Sequence, residues 1–163
     1  MNNKKLLKQY PWLQPRNRFT DELIPNDDNH TELDEMPKGW RVAFAEEMCK
    51  EIHEVLLKTN SVDSYRVLQV KEKYGKLCWY HTFVPLEVKE NGIEVEIVMD
   101  LANNRDKLEP IINKYEEISK KTCIVCGRPA TKIHKNWIGP LCDECVKKAL
   151  KNLEKQFISL EEI

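Results

Sequence analysis

The sequence predicts an α+β fold, in which amphipathic helices pack on a small antiparallel hairpin or three-stranded sheet and a four-cysteine module closes the carboxy-terminal end. Three observations predict it. An apolar stripe of helical period runs from Trp40 to Leu56, the period changes to two around Tyr74 and Gly75, and two Cys-x2-Cys pairs stand fifteen residues apart. The first two are the signatures of a helix and a hairpin, and the third is the ligand spacing of a tetrahedral zinc site. The expected division is an α+β domain over 1–121 and a zinc module with a terminal helix over 122–163.

The amino-terminal segment "MNNKKLLKQYPWL" lacks the apolar run of a secretory signal, and no stretch approaches a membrane span, so the expectation is a cytoplasmic protein with no membrane partner. Between Phe19 and Pro37 lie seven acids and no Lys or Arg. With Pro25 and Pro37 inside it, this stretch reads as an irregular acidic loop over the surface at 19–37.

A helix is expected over 40–58, because Trp40, Phe44, Met48, Ile52, Val55 and Leu56 recur at steps of three and four. His53 falls toward its solvated side. Strands at 65–72 and 77–84 flank Lys73, Tyr74, Gly75 and Lys76, where Gly75 supplies the positive φ of a tight turn. Leu77, Trp79, His81 and Phe83 share the core face, and Cys78, Tyr80 and Thr82 the other. A third strand is expected at 93–99 after the Asn91-Gly92 turn. The next helix is expected to begin near 107–109, since Pro110 fits only its first turn. Cys49 and Cys78 read as buried small hydrophobes.

Cys123, Cys126, Cys142 and Cys145 are the expected ligands of one structural Zn2+. Four thiolates fill a tetrahedral shell, whereas catalytic zinc keeps a position open for water. Cys126-Gly127 resembles a zinc knuckle, the stretch after it a short hairpin, and Cys142 to Cys145 the first turn of a helix, which together resemble the treble-clef arrangement. HNH-type nucleases share that scaffold, but His134 is the single histidine in the module. Phosphate-cradling loops, Gly-x-Ser-x-Gly elbows and His-Glu-x-x-His helices are lacking, so no catalytic residue is assigned. The chain reads as a non-enzyme.

The stretches "YPWLQPRNR", "TELDEMPKGW", "VKEKYGKLCWY", "KYEEISKKTCIVCGRPAT" and "WIGPLCDEC" resemble small, mostly uncharacterised proteins of bacteriophages and prophage regions. Two departures stand out: Cys78 where that group suggests arginine, and a long insert from Pro85 to Asn104. The resemblance implies a viral accessory protein of the bacterial cytoplasm that occupies a host protein or a protein–nucleic acid complex, such as a CRISPR-type antiviral effector. Direct nucleic-acid binding is the alternative, through Trp12, Arg16 and Arg18 or through Lys73, Tyr74 and Lys76 with Lys71. Mimicry of a phosphate backbone by Asp27, Asp28, Asp34 and Glu35 is a third route to a partner, and a small-ligand sponge is a fourth.

Overall fold

The computed structural model describes residues 2–90, 93–97, 101–134 and 139–154. The chain is α+β. An amino-terminal helix that the sequence did not announce, α1 (Asn3–Gln9), opens the fold, capped by the Asn2 side chain and buried through Leu6. A 3-10 turn at Pro11–Leu13 follows and buries Trp12 and Leu13.

The acidic loop is irregular through residue 30 and then tightens into a 3-10 turn, Glu32–Glu35, which drives Leu33 into the core. Asp34 organises this turn. Its carboxylate accepts from the Thr31 N–H at 2.8 Å and from the Asn3 side chain at 2.8 Å, and it pairs with Arg41. Burial alone would raise the Asp34 pKa, but the Thr31 hydrogen bond and the Arg41 guanidinium outweigh it and hold it below the usual value.

The expected helix at 40–58 is present and starts two residues earlier. It runs as α2 (Lys38–Trp40), a π turn at Arg41–Ala45, and α3 (Glu46–Lys58). The π turn has a cause in the sequence. Trp40, Phe44, Met48, Ile52 and Leu56 are all spaced by four, so on a regular α-helix each would rotate about 40° past the last. One wider turn takes up part of that drift, and all five side chains are buried.

Strands β1 (Tyr65–Lys73) and β2 (Lys76–Phe83) form the expected hairpin, with a bulge between Val67 and Gln69. Leu77, Trp79 and Phe83 point inward as expected. His81 is on the same side, half-buried between Tyr65 and Phe83, and its Nδ1 has no hydrogen-bond partner. The third strand does not join this sheet. Leu86–Glu90 (β3) and Ile93–Ile97 (β4) pair with each other instead, because two alternating runs, not one, flank the expected turn at Asn91-Gly92 in the sequence. That turn, and residues 98 and 99 of the expected strand, lie outside the described residues.

The following helix, α4 (Leu101–Lys120), begins about six residues before the expected start and carries Pro110 in its interior. The proline costs one backbone hydrogen bond, roughly 3 kcal/mol. Burial of Leu108, Ile112 and Tyr115 on the inner stripe offsets it. Helix α4 packs against both β2 and α3, and Ser119 Oγ accepts the Leu77 N–H at 2.8 Å. Among the described residues no helix is long and apolar enough to cross a membrane.

Candidate functional site

Beyond α4 the chain turns at Thr122 and enters the cysteine module. A short hairpin of β5 (Lys132–Ile133) and β6 (Pro140–Leu141) leads into α5 (Asp143–Glu154). The knuckle shape comes from backbone bonds. The Gly127 N–H donates to Cys123 O at 2.9 Å and the Cys123 N–H to Arg128 O at 2.8 Å, with Gly127 at φ +80°. Cys142 immediately precedes α5 and Cys145 lies in its first turn, where the helix amino terminus favours negative sulfur.

The four Sγ atoms of Cys123, Cys126, Cys142 and Cys145 all lie within 4.8 Å of one another. Tetrahedral zinc at about 2.3 Å from each sulfur requires edges of about 3.8 Å. The Cys126–Cys142 separation of 3.6 Å is close to that. Three of the four cysteines are buried and Cys126 is half-buried. This is the donor set of a closed metal site.

Arg128, which no spacing rule in the sequence singles out, binds the cluster from outside. Its Nε donates to Cys126 Sγ at 3.4 Å and its NH2 to Cys142 Sγ at 3.7 Å, while NH2 also pairs with Glu144 at 2.7 Å. The guanidinium pulls the Cys126 thiol down to about 6, whereas burial pushes Cys145 up to about 12. Four thiolates around one divalent cation leave two negative charges, so a guanidinium on two sulfurs offsets part of the excess. The clue was a Cys-Gly-Arg run, legible only once the knuckle folds Arg128 back over Cys126.

The module is locked to the main helix. Gly39 donates its N–H to Ile124 O at 2.8 Å, and Trp40 Nε1 donates to Thr122 O at 2.8 Å. A Cβ on Gly39 would lie 2.1 Å from Cys123 O. The helix backbone and the knuckle are therefore in direct contact at the first cysteine of the cluster.

The expected partner residues are distributed unevenly. Trp12 belongs to the core, only 6% exposed, with its Nε1 donating to His53 Nδ1 at 3.3 Å. His53 is accordingly half-buried beneath the amino-terminal segment rather than solvated, and burial lowers its pKa. Arg16 bonds the backbone and carboxylate of Asp21, and Arg66 bonds the same carboxylate at 2.6 Å. Arg18 reaches over to Leu68 O at 2.6 Å.

Asp27, Asp28 and Glu35 are exposed, whereas Asp34 is committed to the clamp described above. Lys76 is engaged by Glu116 at 2.7 Å. Lys73 and Tyr74 are exposed at the hairpin tip. His134 is exposed. Cys49 is buried, which pushes its thiol pKa far up, but Cys78 is only half-buried, because it faces away from the core.

No protein-family model, curated protein or solved structure matches the chain.

Proposed function

We propose that the four cysteines hold one structural zinc ion and that the chain is a non-catalytic phage accessory protein, which binds and inhibits or modulates a host macromolecule. The convergence of four sulfurs within 4.8 Å supports the zinc site, and the sequence resemblance supports the accessory role. Four thiolates saturate a tetrahedral ion, leave no position for a substrate or water, and serve to stabilise rather than to react. The sulfur-only donor set favours zinc over harder cations. The partner class is a host protein or protein–nucleic acid complex of the CRISPR-type antiviral kind, in the cytoplasm of the bacterial host.

The experiment is plating efficiency of a targeted phage on bacteria with active CRISPR interference, with and without the zinc-loaded protein. Restored plating is expected. Unchanged interference against each effector type tried, with the protein folded and one zinc bound per chain, would overturn the reading.

A further inference from the structure

Among the described residues, Phe19, Tyr74 and Tyr80 are the exposed Phe and Tyr side chains, at 98%, 74% and 43%. The two tyrosines each have a lysine over the ring. Lys73 Nζ lies over the Tyr74 ring and Lys71 Nζ over the Tyr80 ring, both 5.4 Å from the centroid. Arg18, the neighbour of Phe19, is fixed to Leu68 O at the bulge in β1.

Strand register gathers these groups. Tyr80 stands opposite Gln69, Cys78 opposite Lys71, and Thr82 opposite Arg66, on the side away from buried Leu77, Trp79 and Phe83. At the far end, Phe19, Arg18, Arg66 and Thr82 line one groove of about 190 Å³. Tyr80 and the tip at Tyr74 are about five strand residues apart, roughly 16 Å.

Two rings are displayed outward from turns, one of them on a strained backbone. Tyr74 sits at φ +53° in the turn, a conformation where Asn or Gly is cheap and a tyrosine is strained. Phe19 is held outward by a turn in which Asn17 Oδ1 accepts the N–H of Phe19 at 2.8 Å and of Thr20 at 3.2 Å. No core packing explains either ring, and strain like that at Tyr74 is kept where a surface works. Lys71 and Lys73 have rings rather than carboxylates as partners among the described residues, unlike Lys76.

We propose that the open face of the β1–β2 hairpin, continued by the 15–24 turn, is a stacking platform for single-stranded nucleic acid. Rings alternating with cations suit a strand whose bases are unstacked and whose phosphates pass between them. A duplex hides the base faces that these rings would meet. The inference rests on reading the chain as a binding protein, and it names the partner of one surface.

The test is fluorescence anisotropy of the zinc-loaded full chain with labelled single-stranded DNA and RNA of roughly 12 nucleotides, with a duplex of the same sequence as competitor, across a salt series. Single strands are expected to bind, to weaken steeply with salt, and to outcompete the duplex. Phe19→Ala, Tyr80→Ala and Tyr74→Asn should each lose about tenfold in affinity. Tyr74→Asn should also keep or raise the melting temperature, which separates lost binding from lost folding. No binding at low salt would overturn the platform, as would equal competition by duplex with ring variants unchanged. An unmutated chain that restores phage plating while binding no oligonucleotide would remove the platform alone and leave the accessory-protein reading standing.

Discussion

Gly39 has no room for a methyl group: an added Cβ would meet Cys123 O, Gly127 N and Ile124 C all within 2.7 Å, and these are backbone atoms. Gly39→Ala is expected to cost about 2–3 kcal/mol or more, read as a lower denaturant midpoint. Arg128→Ala should leave the fold but weaken zinc retention about 10- to 100-fold in a chelator competition, with Arg128→Lys intermediate. At His81 burial, with Arg105 adding to it, holds the imidazole neutral down to about 4. An unfolded histidine protonates near 6.5. The folded state therefore binds fewer protons between those values, so stability is complete above pH 6.5 and drains as pH falls toward 4. The loss should approach roughly 2 kcal/mol once the part of the ring that water reaches is discounted, and His81→Gln should lack it in urea titrations at pH 7 and 5. The four cysteines were legible because metal spacing is local. Gly39, Arg128 and the Trp12–His53 bond were not, since each matters through a segment elsewhere in the chain.

Elements were legible where one periodicity ruled. The stripe from Trp40 to Leu56 marked its helix, and the alternation around Gly75 marked its hairpin. The π turn hid inside that stripe as a strict spacing of four, which looks like an ordinary helix until the accumulated rotation is counted. Helix α1 was missed because seven residues with one buried leucine carry too little pattern. The β3 and β4 strands show a different failure. The second run was recognised, but its partner, the short "LEVKE", was passed over, and a lone strand must be assigned to whatever sheet is at hand. Pro110 hides the start of α4 because its cost is finite: burial of one helix face outweighs a single lost bond.

The cysteine module is tied to the helical core by the Gly39–Ile124 and Trp40–Thr122 hydrogen bonds. Chelation is thus expected to lower the melting temperature of the whole chain and to change tryptophan emission, since Trp40 is fully buried at the junction. A chelated protein whose main transition stays in place, with only the carboxy-terminal signal lost, would show that the two fold independently. Spacing revealed the module, while its docking depended on a contact that joins Gly39 to a segment more than eighty residues later. That separation also governs how the molecule is born on the ribosome. Trp40 emerges long before Thr122 and the cysteines, and through that interval its indole has no carbonyl to meet and the helix no knuckle to cover it. Until Thr122 and the knuckle at Cys123 are made, that end of the helix has no cover, and the cysteine segment arrives as its stopper.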